Sequence, residues 1–467
     1  MKDTVKSGFV CAGFETLFSI IDRFIKGRTK TGHYDNNFTR PQINNFFGSI
    51  CSGFLHSYGQ SFTGKKYFAK YNRSEARQFQ LAKDTGFFED SPLICDSGGF
   101  QAGIGKIDKH ETEILITEYH NFLREYHHNI DKAFILDLPP GHQCKIYSNW
   151  NDVYNYNKRT YTMARELPDE IKQKMIYVHH FRTPKYWEIF NKILHEDDIF
   201  NEFQYHSAGG MVANLSGDMV VPIVIYSLPL VTLLNECKRF NRNFLNFHVL
   251  GGANYRDILF YELFTLHVKK VHNIDLNITY DSSAIFKSMM VGRILNVFEG
   301  ERSYKMNIRS EYLDKRLGFV SDKTVYDKLK EMVDEIADDF GFKRLNIPEG
   351  FYHPETGTFP DDVKVYLMLH VMYDYAIAQT ILRRAAKRIY PLYVSGNLDE
   401  FNQEVIKITQ NLNQGKITKK QRAKSSITTR SLDVLTNLDE DQCKYIVDKF
   451  LAKDEIVKLG HKNVLTF

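Results

Sequence analysis

Three aspartates in this chain close short apolar runs: Asp96 in PLICDSGGFQ, Asp137 in AFILDLP and Asp281 in LNITYDSS. A carboxylate at a strand end can serve as nucleophile, as proton donor or acceptor, or as the acceptor for a polar edge. Small residues crowd beside these acids. Ser97, Gly98 and Gly99 follow Asp96, while Gly209 with Gly210 and Gly251 with Gly252 close QYHSAGG and FHVLGG. Histidines end or approach the end of two runs, His179 and His180 in MIYVHHF and His248 in FHVLGG. Each aspartate alone has an ordinary explanation, because Asp followed by Ser begins many helices. Three carboxylates gathered in one place would instead need a substrate or partner to offset their charge.

The elements that could gather them are legible in the spacing. Eight β-rich runs end in a polar or glycine residue: FVCAG at Gly13, FFGSICSG over Phe46 to Gly53, then the runs ending at Asp96, Asp137, His179–His180, Gly209–Gly210, Gly251–Gly252 and Asp281. From Asp96 onward the ends recur at intervals compatible with one strand and one helix of about 30 residues per unit. Segments such as ETEILITEYHNFLREYHHNI between the runs carry apolar residues at helical spacing. Alternating strands and helices imply a parallel sheet, and polar residues at most strand ends fit a closed rim better than the single crevice of an open sheet. The expected fold is therefore α/β, a (β/α)8 TIM barrel over residues 1–293. A charged insertion would occupy 294–362, with a helix over Asp322 to Phe340. A closing helix from about Asp362 to Tyr390 and a basic, mainly helical C-terminal region would fill 363–467.

Composition narrows the setting. Six dispersed cysteines without a C-x-x-C argue against a disulfide framework or a cysteine knuckle, and suit a reducing cytoplasm. The N-terminus lacks the apolar core of a signal peptide, and the run Met219 to Leu234, interrupted by Pro222 and Pro229, reads as a buried helix rather than a membrane span. A formal charge of +4 over 467 residues identifies no partner, so basic surface must be local.

The DSGGFQ segment, a later GG after a strand and YDSSAIF after another together resemble the tRNA-guanine transglycosylase family over roughly residues 90 to 293. DSSAIF is closer to the archaeal branch than to the bacterial one, whose D-C-V-x-P-T-R stretch is missing. The resemblance implies the same barrel and a set of roles. Asp281 would be the nucleophile at C1′ of the target nucleoside and Asp96 the acid/base. Asp137, with Ser97, His179 and His248, would line the base. The backbone of Gly209, Gly210 and Met211 would donate to its carbonyl, and Phe100 would stack on the ring. Residue chemistry agrees: an oxocarbenium-like centre needs a carboxylate nucleophile and a second group to manage the proton, and a flat purine needs bare amides at its edge.

Departures from the family matter equally. Glutamine and glycine are replaced by His179 and His180, whose reading as metal ligands lacks a third ligand. The family's zinc cluster, C-x-C-x-x-C with a later histidine, is reduced to His370 in YLMLHVMYDY. The expectation is accordingly no metal and no cofactor, with His370 a helix-packing residue. The lost zinc subdomain and the unfamiliar first ninety residues resemble the branch that installs a 7-deazaguanine such as preQ0 in DNA, found in phages and bacterial modification clusters. The expected partners are DNA and a 7-deazaguanine base, with tRNA as the alternative nucleic acid and a homodimer possible. For a phage protein the cytoplasm would be the host's.

A base inside a duplex must be flipped out, and its phosphates neutralised. Candidate contacts are Lys65, Lys66, Lys70 and Arg73 in GKKYFAKYNR, Lys416, Lys419, Lys420 and Arg422 in GKITKKQRAK, and the segment Lys26 to Lys30. Each also reads as a solvated loop. Two further classes fit the same acids: a barrel glycoside hydrolase using Asp96 and Asp281, and a noncatalytic nucleic-acid-binding relative.

Overall fold

The structure is a computed structural model that describes residues 8–13, 21–22, 39–61, 68–84, 91–103, 105–139, 146–180, 184–196, 198–209, 222–252, 255–282, 295–299, 302–306, 322–345, 361–412 and 425–451. Eight strands close into a parallel barrel in chain order. They are β1 (Phe9–Ala12), β2 (Gly53–Ser57), β3 (Leu93–Asp96), β4 (Lys132–Phe134), β5 (Met175–His180), β6 (Tyr205–Gly209), β7 (Phe244–Val249) and β8 (Asp275–Ser282), and β8 pairs back onto β1. Among the described residues no helix is long and apolar enough to cross a membrane.

Seven helices follow the first seven strands: α1 (Arg40–Ile50), α2 (Phe68–Asp84), α3 (Lys109–Tyr126), α4 (Trp150–Arg165), α5 (Pro184–Glu196), α6 (Pro222–Arg239) and α7 (Tyr255–His272). Their starts are written in local chemistry. Thr39 and Gln42 form a capping box on α1, Asp108 and Glu111 another on α3, and Asn149 accepts from the Asp152 amide at α4; each satisfies an amide that the first helical turn leaves open. The run Phe46 to Gly53, expected as a strand, is instead the end of α1 and the turn into β2. Ile43, Phe46, Phe47 and Ile50 are all buried at helical spacing, and the cap at Thr39 fixes where that helix begins.

Strand alternation sorts the core into two layers. Val10, Ala12, Leu55, Ile94, Phe134, Ile176 and Val178 fill the barrel interior. Their neighbours Phe9, Cys11, Phe54, Cys95, Tyr177, Phe247 and Tyr280 face outward and join the strands to the helices. The described cysteines, Cys11, Cys51, Cys95, Cys237 and Cys443, are all buried.

The eighth helix arrives late. A hairpin, β9 (Leu295–Glu299) with β10 (Arg302–Met306), and α8 (Asp322–Phe340) come first. Then α9 (Asp361–Val394) packs against α7, α8 and α1, so it fills the gap left by the last strand. Buried Gln379 fastens it there. Its Oε1 accepts from the Gly8 amide at 2.5 Å and from the Tyr280 hydroxyl at 2.9 Å, while its Nε2 donates to Glu262 at 2.9 Å. Arg383 donates to both oxygens of Glu262. Helices α10 (Leu398–Leu412), α11 (Ser425–Asn437) and α12 (Glu440–Leu451) complete the extension, with α11 and α12 lying on α6.

Candidate active site at the barrel mouth

The carboxyl ends of parallel barrel strands share one face. Asp96 ends β3 opposite Ser57 of β2, Asp281 lies opposite Val10 near the end of β8, and Asp137 stands three residues beyond β4. The three carboxylates have three different surroundings.

Burial raises the pKa of Asp96 to about 6, and the charges of Asp137 and Asp281 add to that rise. Hydrogen bonds from the Ser57 side chain and the Gly98 amide hold it back in part. A carboxyl tuned in this way can give up or take a proton near neutrality.

Asp137, almost fully buried, is gripped through both oxygens. Ser97 Oγ donates to Oδ1 at 3.3 Å, and His180 Nε2 meets Oδ2 at 2.6 Å. An ionised carboxylate only accepts, so His180 donates through Nε2.

Among the described residues Asp281 is held on one oxygen. The Gly251 amide donates to Oδ1 at 2.8 Å, and His248 Nε2 lies 3.2 Å from the same atom. On its other side His248 Nδ1 is 2.9 Å from Thr279 Oγ1, and the imidazole lies 5.3 Å from the Phe134 ring.

The histidine pair divides between the two layers. Val178 belongs to the barrel interior, so His180 shares its face and reaches the mouth, whereas His179 follows Tyr177 outward. There His179 Nε2 lies 3.3 Å from His206 Nδ1. Burial pushes the pKa of both rings down, His179 well below the usual histidine value and His206 to about 3. His179 thus stands apart from the carboxylates that His180 joins.

The glycines answer to packing as well as to space. Gly98 has φ +78°, and a Cβ there would lie 2.2 Å from Gly59 Cα; a Cβ on Gly99 would lie 1.7 Å from the Asp137 carbonyl oxygen. A Cβ on Gly209 would meet Val178 at 2.8 Å and the His180 ring at 2.9 Å. The bare backbone beside Asp96 therefore lets neighbouring strand-end loops touch, and Gly209 leaves room for His180.

Lys70 and Arg73 are exposed in the first turns of α2, the end of the helix nearer the mouth. Lys65, Lys66, Gly210, Met211, Lys416, Lys419, Lys420, Arg422, the segment Lys26 to Lys30 and the side chain of Phe100 lie outside the described residues. Ser57 and Thr279, which touch the acids or their partners, were not among the residues singled out by motif.

His370 lies elsewhere, in a groove of about 630 Å³ between α8 and α9 that shares no residue with the mouth. Its Nε2 is 3.1 Å from Glu335 and its Nδ1 3.4 Å from Asp374. Burial alone would lower its pKa, but the two carboxylates outweigh it and bring the ring to about 9. Among the described residues no group of three or more His, Cys, Asp or Glu is placed to hold a metal ion.

No family model matches the chain, and no curated protein matches it significantly.

Proposed function

We propose that this protein exchanges a guanine base in DNA for a 7-deazaguanine of the preQ0 type through a covalent glycosyl-enzyme. The observation that carries the reading is the division of labour among three carboxylates at one barrel mouth: one raised toward neutrality, one with both oxygens engaged, and one held, among the described residues, on a single oxygen.

In the first half-reaction an oxygen of ionised Asp281 attacks C1′ of the flipped nucleoside. The C1′–N bond breaks, its electron pair goes to the departing guanine, and Asp96 in its acid form supplies the proton. Asp96 is then a carboxylate. It takes the proton from the ring nitrogen of the incoming 7-deazaguanine, that nitrogen attacks C1′, and the C1′–O bond to Asp281 breaks. Both acids return to their starting states, and the exchange needs no redox partner. With a pKa of about 6, Asp96 serves as acid and base in turn with little cost to either step. Asp137, oriented by Ser97 and His180, accepts from the N–H edge of the bound base.

DNA is favoured over tRNA by the resemblance of the chain to the DNA-modifying branch. The six basic side chains between Gly415 and Ser431, with no acidic one among them, would neutralise phosphates of either nucleic acid. The test is nucleoside mass spectrometry after incubating the protein with preQ0 and with DNA and tRNA together. A 7-deazaguanine nucleoside in the DNA fraction is the expected result. The same nucleoside in tRNA alone would move the reading to tRNA, and modification of neither, with oligosaccharide cleavage instead, would replace it with a glycoside hydrolase.

A further inference from the structure

Thr279 precedes Asp281 by two residues on β8, so the two share the interior face, and Thr279 stands opposite His248 in the β7–β8 register. The result is a short chain of polar groups: Thr279 Oγ1, 2.9 Å to His248 Nδ1, and His248 Nε2, 3.2 Å to Asp281 Oδ1. His248 is buried and Thr279 half-buried, so water does not readily replace either partner. Asp281 Oδ1 also accepts from the Gly251 amide, whereas among the described residues no donor meets Oδ2.

Resting on the transglycosylase reading above, we infer that Thr279 is a positioning residue that fixes His248 as the Nε2–H tautomer and thereby selects Oδ2 of Asp281 as the attacking oxygen. A neutral imidazole has one N–H and one lone pair, and the hydrogen bond made at one nitrogen decides which is which. The carboxylate at Nε2 can only accept, which calls for hydrogen on Nε2. The Thr279 hydroxyl, able to donate or accept, supports that tautomer by donating to the Nδ1 lone pair that would otherwise be buried unpaired. Two donors then occupy Oδ1 and hold the plane of the carboxylate. The less encumbered Oδ2 keeps its electron pair for C1′. Without the hydroxyl, the Nδ1–H tautomer becomes available and turns a lone pair toward Oδ1, which frees the carboxylate to rotate.

The variants are Thr279→Val, which keeps the shape and removes the hydroxyl, and Thr279→Ser, which keeps the hydroxyl. The His248 ring nitrogens are read by 15N NMR in the full-length protein, and base exchange is followed on the same samples. Wild type and Thr279→Ser are expected to show hydrogen on Nε2 and a bare Nδ1, with similar kcat. Thr279→Val is expected to show mixed tautomers and a kcat lower by about 10- to 100-fold, the usual scale for a group that orients a functional histidine, with little change in KM.

The ring-nitrogen spectrum and the recovery of kcat in Thr279→Ser separate this role from a structural one, because a merely structural loss would not move the His248 tautomer. Hydrogen on Nδ1 in wild type would overturn the inference, as would a Thr279→Val protein with wild-type kcat. Wild type with hydrogen on Nε2 but no base exchange would overturn the selection of an attacking oxygen together with the transglycosylase reading, and leave the tautomer assignment standing.

Discussion

His180 Nε2 and Asp137 Oδ2 meet at 2.6 Å at the barrel mouth, and Gly209, opposite His180 in the register, is the residue that leaves room for the ring. The pair is nearly sealed from solvent. Losing one member strands the other, because a buried acceptor deprived of its donor bears the full desolvation penalty. His180→Leu is expected to lower unfolding stability by about 1–3 kcal/mol in urea titrations and to weaken capture of the incoming base. His180→Gln keeps a donor and should lose less of both. Equal stability in the two variants would show that the contact contributes nothing.

His179 makes the opposite prediction. It faces His206 on the outer layer, so His179→Leu should alter thermal stability while base exchange keeps its kcat and KM. A selective rise in KM for the base would put His179 back at the site.

Asp96 should behave as a group held at a cost. Its folded pKa of about 6 lies above the ordinary aspartate value of 3.8, so the folded state binds the proton more tightly than the unfolded chain. Stability from this group is therefore greatest below the unfolded pKa and declines as pH rises through about 6. Asp96→Asn is expected to abolish exchange, and its stability relative to wild type should be more favourable at pH 8 than at pH 4. Denaturant titrations at the two pH values check the sign.

The raised pKa of His370, about 9, has the opposite consequence at the alkaline end. A histidine stabilised in its charged form by Asp374 and Glu335 contributes fully below the unfolded value of 6.5 and loses that contribution as pH rises through about 9. Wild-type stability should fall across that window by more than that of His370→Gln. Parallel pH profiles for the two proteins would contradict the assignment.

Much of the barrel was legible because its cause is local. Apolar runs ending in polar residues recur along the chain, and each parallel strand needs a helix to return. The eighth helix was harder to place in the barrel, since α9 begins only at Asp361, far from the end of β8 at Ser282. At the mouth, the aspartates stood out as charges closing apolar runs. The choice between His179 and His180 did not, because Met175 to Val178 are apolar on both faces of β5 and alternation carries no contrast there. Thr279 could have been found: Asn277, Thr279 and Asp281 alternate with Leu276, Ile278 and Tyr280, which puts the polar set on one face. The glycines after Asp96 were legible as a close approach, but what approaches Gly98 and Gly99 in the structure is Gly59 and the Asp137 backbone, contacts that no local pattern reveals.

The most direct test is to trap the covalent intermediate. Full-length protein would be mixed with guanine-containing DNA without added base, denatured and run on a denaturing gel, alongside Asp281→Ala. The expected result is a protein–DNA adduct in wild type that preQ0 discharges, and none with Asp281→Ala. An adduct that persists in Asp281→Ala would contradict Asp281 as the nucleophile, and base exchange without any adduct would contradict the covalent route.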